Sequence, residues 1–140
     1  MSNLAQELHE LVLVLDRQAE KRLAPSGLSY RRYVALFIVD EHPGLGGRDL
    51  AGALSITEGA VSAIVNRLLA DGLVTDCAPA GYGRRRRLVI TDRGAQVLAD
   101  ATARLGTSLD DLVRGLGTDP EALETTLRAI RTVLVQGDPR

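Results

Sequence analysis

The sequence predicts a mainly α-helical protein that is interrupted once, near its middle, by a short β-hairpin. Apolar residues recur at alternating spacings of four and three over much of the 140-residue chain, which is the periodicity of amphipathic helices. Between residues 73 and 90 this periodicity gives way to two short β-prone runs that flank a turn containing proline and glycine. Four consecutive arginines, Arg84 to Arg87, follow that turn.

The composition is that of one ordinary globular domain. With 45% hydrophobic and 25% charged residues, the chain can bury a core and differs from a disordered tail. Its apolar runs are far shorter than the roughly 20 residues needed to cross a bilayer. Glu7 and Glu10 lie where a signal peptide is basic, and the single cysteine, Cys77, agrees with a reducing compartment. We therefore expect one cytoplasmic domain over residues 1–140, with no membrane partner.

Capping residues set the limits of the first two helices. The first begins at Leu4 and ends at the Pro-Ser-Gly turn of residues 25–27, because proline and glycine both disfavour its continuation. Ser29 is the predicted N-cap of the second helix, which Pro43 and the following glycine stop.

The next two helices are short and close together. Residues 48–54 and 57–70 are joined by a tight turn, and either Ser55 or Thr57 can cap the second of them; we prefer Thr57. Gly72 suits the left-handed position that ends this helix. The apolar residues of the second helix form a predicted buried stripe, which consists of Val61, Ile64, Val65, Leu68 and Leu69.

The pattern then changes to a hairpin and back to helix. We predict strands over residues 73–75 and 87–90. Thr91 caps one long helix whose apolar spacing persists as far as Gly115 and Gly117, and Asp119 with the following proline opens a last helix. Both ends of the chain carry long apolar seams, which a second copy of the chain would bury.

Two short helices joined by a tight turn form a helix-turn-helix pattern. Ser62, Asn66 and Arg67 fall outside the buried stripe, where they can donate to base edges or phosphates in the major groove of DNA. Thr57 would anchor the start of this recognition helix. A helix face that is exposed to solvent and binds nothing would show the same pattern of polar residues.

The basic hairpin favours DNA binding over the interpretation that these polar residues are only exposed to solvent. A β-hairpin directly after a candidate recognition helix is a wing, whose arginines can reach the minor groove and the phosphates. Strand alternation directs Arg85 and Arg87 one way and Arg84 and Arg86 the other. Seven basic and five acidic residues lie between positions 48 and 93, a net charge of +2 in a chain whose total is −1. The alternative role is a charged edge strand that prevents aggregation.

A specific order of residues runs through the central part of the chain. It consists of Leu28, Ser29, Leu50, Ala51, Val61, Ser62, Val65, Arg67, Leu68, Asp71, Gly72, Leu73, Val74, the arginine run, Leu88, Ile90, Thr91 and Gly94. In this order the chain resembles the MarR family of bacterial transcriptional regulators. The likeness covers nearly the whole chain and is most specific between Val61 and Gly94.

The resemblance implies a homodimeric winged helix-turn-helix repressor or activator. Residues 28–94 would form the DNA-binding lobe, and residues 1–24 and 95–136 the dimerisation helices. Each subunit would contact half of a pseudo-palindromic operator in double-stranded DNA. The residues implied at this interface are Thr57, Ser62, Asn66, Arg67, Arg84, Arg85, Arg86 and Arg87. In this family a small molecule, often aromatic or phenolic, or an oxidant commonly releases the DNA.

Two stretches depart from the family pattern. Gly81, Tyr82 and Gly83 stand where the family commonly carries an acidic residue before the wing arginines, which predicts a more mobile tip. Ala63 stands where a larger or basic residue is frequent, which removes one base contact and leaves operator affinity open.

Residues for other chemistry are few. Tyr33 and Phe37, one helical turn apart, are candidate effector contacts, although such residues more often pack in a core. Cys77 follows the first wing strand, where a lone thiol is usually a packing residue. His9 and His42 lack further ligands at metal-binding spacing. We predict no cofactor and no enzyme activity, because the sequence contains no catalytic set.

The main alternative is a dimeric helical module that keeps the winged scaffold but binds a protein. DNA binding through arginines weakens steeply as ionic strength rises, whereas apolar partner binding does not. Salt dependence therefore separates the two functions.

Overall fold

The computed structural model describes residues 2–81, 83 and 85–137, which form seven α-helices and one two-stranded antiparallel sheet. The elements in chain order are α1 (Leu4–Leu23), α2 (Tyr30–Glu41), α3 (Gly47–Leu54), α4 (Glu58–Ala70), β1 (Val74–Asp76), β2 (Leu88–Ile90), α5 (Asp92–Leu105), α6 (Ser108–Gly115) and α7 (Pro120–Gln136). One turn of 3₁₀ helix, Ala24–Ser26, follows α1. The predicted class, mainly helical with one hairpin, is confirmed.

The chain divides into two compact units, Met1–Leu105 and Gly106–Arg140. The first unit holds α1 to α5 and the sheet, and the second holds α6 and α7. The core of the first unit is apolar, and its larger members are Leu23, Leu28, Leu36, Val39, Leu50, Val61, Val65, Leu68, Leu73, Leu88 and Leu98. This core fixes α4 and the hairpin on one scaffold.

The predicted helix caps are present in the structure. The backbone N–H of Arg32 donates to Ser29 Oγ at 3.2 Å, and that of Ala60 donates to Thr57 Oγ1 at 3.1 Å. Ser55 instead ends α3 in the left-handed conformation, with a φ of 56°. The preference for Thr57 over Ser55 as the cap of α4 is therefore confirmed.

Helices α3 and α4 meet at the angle expected of a helix-turn-helix. Their axes turn by 111° at the break between them. Leu50 of α3 and Val61, Val65 and Leu68 of α4 are buried, which confirms the centre of the predicted stripe. Among the described residues no single helix meets the length and apolarity needed to span a bilayer, and α3 with α4 meet it only as this bent pair.

The first hairpin strand lies one residue later than the spacing predicts, and the second begins one residue later and ends at the predicted residue, Ile90. β1 and β2 pair in the register Val74 with Ile90 and Asp76 with Leu88. Leu73 is outside β1 because its N–H bonds back to the last turn of α4, after Gly72 with its φ of 72°. Arg87 is outside β2 because its N–H donates to the side chain of Asp76 rather than to a backbone carbonyl.

The single long helix predicted after Thr91 is wrong. The structure has two helices there, α5 and α6, because Gly106 adopts a left-handed φ of 63° directly after Leu105. The apolar spacing continues across the break, which explains why the periodicity alone suggested one helix. The Thr91 cap itself is present, since the N–H of Gly94 donates to Thr91 Oγ1 at 3.0 Å.

A close approach of backbone to backbone joins α5 to the start of the wing. A Cβ atom at Gly94 would lie 2.0 Å from the carbonyl oxygen of Leu73 and 2.8 Å from Cγ1 of Ile90. The Leu73 carbonyl is also held in place, because it accepts the N–H of Thr91 at 3.0 Å. Only glycine fits at position 94 without displacing the backbone.

We expect Gly94→Ala to lower the free energy of unfolding by about 1–3 kcal/mol, because the added methyl group has no space. Urea denaturation followed by circular dichroism measures the change. The matched control is Gly52→Ala in α3, where a Cβ has no neighbour within 4 Å. That variant should gain up to about 1 kcal/mol from helix propensity. Equal stabilities for the two variants would contradict the close approach.

Candidate nucleic-acid interface

The outer face of α4 carries the polar residues that the sequence singled out. Ser62, Asn66 and Arg67 are exposed, while Val61 and Val65, on the neighbouring inward face, are buried. Ser62 and Asn66 are four positions apart and therefore lie one above the other on the helix. The small exposed Ala63 beside them leaves this face narrow. Such a face is able to enter the major groove of DNA.

Arg67 already has a partner within the chain. Its Nε lies 3.0 Å from Asp71 Oδ2, four residues further along, and Asp71 is also 3.7 Å from Nη1 of Arg32 on α2. From the sequence, Asp71 was named only among the residues that carry the family resemblance. The i, i+4 spacing of opposite charges was the signal that could have found this pair. Since Arg67 keeps 63% of its side chain exposed, it remains available to an approaching phosphate.

The wing arginines differ in their surroundings. Arg85 and Arg87 are exposed, whereas Arg86 is half-buried, in agreement with the predicted alternation. Nη2 of Arg86 donates to Asn66 Oδ1 at 2.9 Å, so the wing contacts α4 directly. Arg84 lies outside the described residues, as does Tyr82 in the turn.

Asp76 holds the described part of the arginine run, Arg85 to Arg87, which we call the arginine arm. This role of Asp76 was not predicted from the sequence. Its Oδ1 accepts the N–H of Ala78 at 3.0 Å and the N–H of Arg87 at 3.1 Å. These two hydrogen bonds, together with the nearby charge of Arg86, hold the pKa of Asp76 below its usual value. Positions 81–83, directly before the arginines, carry no acidic residue. Asp76 on β1, the opposite strand of the hairpin, binds the arm instead. An aspartate two residues before an amide that it accepts forms an Asx turn, and Asp76 followed by Cys-Ala-Pro was the available signal.

The base of the wing is bonded on both sides. The N–H of Leu88 donates to the carbonyl of Leu45 at 2.9 Å, and its own carbonyl accepts the N–H of Gly44 at 2.8 Å. On the other side, the N–H and the exposed Sγ of Cys77 both donate to the carbonyl of Arg87, at 2.8 and 3.2 Å. The segment after α2 therefore acts as a third, very short strand beside β2, which was not predicted from the sequence.

A concave groove of about 860 Å³ lies between the wing and the two helices of the helix-turn-helix. Its walls carry both signs of charge, and they consist of Gly44, Gly46, Gly47, Arg48, Asp49, Glu58, Val61, Ser62, Val65, Arg85 and Arg86. Arg48 and Glu58 form an exposed ion pair at 3.7 Å across its rim, which contributes little to stability. The groove thus places basic wing residues beside the polar face of α4.

The sequence is similar to one known family of regulators. A sequence model described as MarR family matches residues 26–85, which include α2, α3, α4 and β1. Over 127 residues the chain is 28% identical to the HTH-type transcriptional repressor Rv2887 of Mycobacterium tuberculosis, a match covering 80% of this chain and 91% of that protein. Over these residues the chain is similar to the MarR family.

Solved structures of similar proteins have the same fold as this chain. The transcriptional repressor CouR, bound to a 23-mer DNA duplex, has a TM-score of 0.78 and 24% identity, and the match covers 94% of this chain and 92% of that one. Rv2887 of Mycobacterium tuberculosis, in complex with p-aminosalicylic acid, has a TM-score of 0.67 and 26% identity, with 94% and 98% covered. The names of these proteins denote transcriptional regulators, not enzymes.

The candidate effector residues lie on α2 and are not among the residues that line the groove. Tyr33 and Phe37 have ring centroids 6.4 Å apart, and Tyr30 stacks on Tyr33 at 6.2 Å. The hydroxyl of Tyr33 is hydrogen-bonded to Thr102 Oγ1 of α5 at 3.1 Å. Phe37 remains 40% exposed. The aromatic row therefore combines an open apolar surface with a hydroxyl pair, and its contact with a ligand stays a prediction.

We expect Asp76→Ala to release the arginine arm, because two backbone N–H groups lose their shared acceptor. Amide hydrogen exchange should be faster at Ala78 and Arg87 than in the unchanged protein at neutral pH. In the unchanged protein the contribution of Asp76 is fully present above its unfolded pKa of about 3.9. It should be lost only as pH falls through the lower folded pKa.

The matched control for this experiment is Asp40→Ala, which removes the same charge from an exposed position of α2. Exchange at Ala78 and Arg87 should then be unchanged. Equal exchange rates in Asp76→Ala and the unchanged protein would show that the carboxylate does not hold the arm.

Proposed function

We propose that this protein is a sequence-specific DNA-binding transcriptional regulator of the MarR family, which acts as a homodimer and responds to a small aromatic ligand. The observation that carries the proposal is the contact between the arginine arm and the exposed polar face of α4. Arg86 bonds directly to Asn66 at 2.9 Å, so the two candidate DNA-reading elements form one continuous surface. A regulator of this kind works beside the chromosome, and we place it in the cytoplasm.

The side chains have distinct roles in this proposal. Ser62 and Asn66 read base edges in the major groove, since both are exposed on one face of α4. Arg67 binds a phosphate, and Arg85 and Arg87 bind phosphates or reach the minor groove. Thr57 fixes the start of α4, and we include Arg84 with its neighbours because it continues the same run. The similarity in fold to CouR, which binds a DNA duplex, supports this arrangement.

The homodimer is supported by the apolar side chains that each unit leaves exposed. In the first unit, α1 exposes five of them: Leu4, Leu11, Val12, Leu13 and Val14. In the second unit, α7 exposes Ile130, Val133, Leu134 and Val135. Contiguous apolar surfaces of this kind are rare on monomers. A two-fold dimer buries them and presents two copies of α4 to a pseudo-palindromic operator.

The ligand is proposed from a relative and from the aromatic row. Rv2887, the relative with 26% identity, is solved with p-aminosalicylic acid. In this chain Tyr33 and Phe37 offer an open aromatic surface beside a hydroxyl pair, which suits an aromatic carboxylate or phenol. We propose that a ligand of this class binds there and releases the DNA.

We expect the double variant Arg85→Ala/Arg87→Ala to weaken binding to every DNA sequence. The variant neutralises fewer phosphates, so the slope of log K against log salt should become less steep by roughly 0.9 for each phosphate left without a cation. Fluorescence anisotropy with a duplex selected from a random pool measures both quantities. The control is Arg17→Ala/Arg104→Ala, which removes the same amount of charge from α1 and α5, outside the wing. This variant should keep the original salt slope. If the unchanged protein binds no duplex even in dilute buffer, the DNA-binding function is wrong.

We expect p-aminosalicylate to raise the Kd for the selected duplex, and Phe37→Ala to weaken this effect. Removing the ring takes away apolar contact area, so the ligand concentration for half-release should rise by about tenfold. Competition in the same anisotropy assay measures it. Acetate, which carries the carboxylate without a ring, should not release the DNA. Equal half-release concentrations for Phe37→Ala and the unchanged protein would remove Phe37 from the ligand site.

A further inference from the structure

Among the wing arginines that the structure describes, Arg85 to Arg87, Arg86 is the one whose guanidinium points inward. Its side chain is half-buried, whereas Arg85 and Arg87 on either side of it are exposed. Nη2 of Arg86 donates to Asn66 Oδ1 at 2.9 Å. Arg86 also shares the wall of the groove with Ser62 and Val65 of α4. A guanidinium placed in this way contacts the recognition helix, not a phosphate outside the protein.

The surroundings of Nη1, the other terminal nitrogen of Arg86, also indicate that this guanidinium faces the protein. Nη1 of Arg86 is inaccessible to solvent and has no hydrogen-bond partner among the residues that the structure describes. The carboxylate of Asp76, which holds the arm, lies near enough for the charge of Arg86 to lower its pKa. Arg86 is therefore bonded to the Asn66 amide and close enough to Asp76 to interact with its charge, while its Nη1 is shielded from water.

The hydrogen bond to Asn66 has a chemical consequence. An asparagine amide presents an acceptor oxygen on one side and a donor NH₂ on the other, and rotation by half a turn exchanges them. A cationic donor at Oδ1 makes one of these orientations more favourable. In that orientation the Oδ1 of Asn66 faces the wing and its Nδ2 hydrogens face away from Arg86.

We propose that Arg86 is a positioning residue that orients the Asn66 amide for base recognition, and that it makes no phosphate contact. Asn66 then donates from Nδ2 to acceptors on a base edge, such as N7 and O6 of guanine. The inference rests on the proposed DNA-binding function. It assigns Arg86 to specificity and leaves the phosphate contacts to Arg85 and Arg87.

The experiment compares Arg86→Met with Arg85→Met. Methionine keeps most of the apolar stem and removes every donor, so packing is disturbed little. Anisotropy is measured at several salt concentrations on the selected duplex and on duplexes with each base pair changed in turn. Arg86→Met should reduce discrimination at one base pair by roughly tenfold with an unchanged salt slope. Arg85→Met should keep that discrimination and make the salt slope less steep.

A double-mutant cycle tests the connection to Asn66. In an Asn66→Ala background, Arg86→Met should have no further effect on base discrimination, because the group that it orients is gone. Additive effects of the two substitutions would overturn the proposal. So would a salt slope for Arg86→Met that changes as much as the slope for Arg85→Met.

A measurement without DNA separates the failure of this inference from the failure of the proposed function. In ¹⁵N-labelled protein, the side-chain NH₂ resonances of Asn66 should shift in Arg86→Met and stay in place in Arg85→Met. Unshifted resonances in both variants would overturn the role of Arg86, whatever the protein binds. If the resonances shift as expected but no duplex binds, the DNA-binding function fails and the proposed base recognition fails with it.

Discussion

The wing is attached to the helical core through Leu88. Its side chain is fully buried, and its backbone N–H and C=O both bond to the segment that follows α2. The same residue pairs with Asp76 in the hairpin. Because Leu88 follows the arginine run directly, this one buried position determines where the arm leaves the core. The contact between Arg86 and Asn66, and the groove between wing and α4, both depend on that attachment.

Internal pairing limits how many arginines are free for a polyanion. Arg67 is paired with Asp71, and Arg86 is bonded to Asn66, so both already have partners before DNA arrives. Arg85 and Arg87 remain exposed on the arm. A small net charge in this region is therefore compatible with DNA binding, since specificity comes from oriented polar groups while a few exposed charges supply the salt-dependent affinity.

Local chemistry predicted much of this fold from the sequence. The caps Ser29 and Thr57 and the centre of the buried stripe of α4 follow from hydrogen bonding and periodicity within one helical turn, and these are present. The break at Gly106 was missed because apolar spacing continues across it, and a single glycine within a periodic run is compatible with helix. Asp76 was missed for a different reason: its second partner, Arg87, is eleven positions away, and side-chain contacts at that distance depend on the hairpin register. The direction of Arg86 depends on the same register.

The close approach of α5 to Leu73, directly before β1, has an evolutionary consequence. At position 94 the helix and the Leu73 carbonyl are so close that no side chain fits between them. A chain of this fold with a larger residue at the corresponding position must therefore hold helix and strand further apart. The identity of that one residue thus indicates whether a distant relative keeps the same wing geometry.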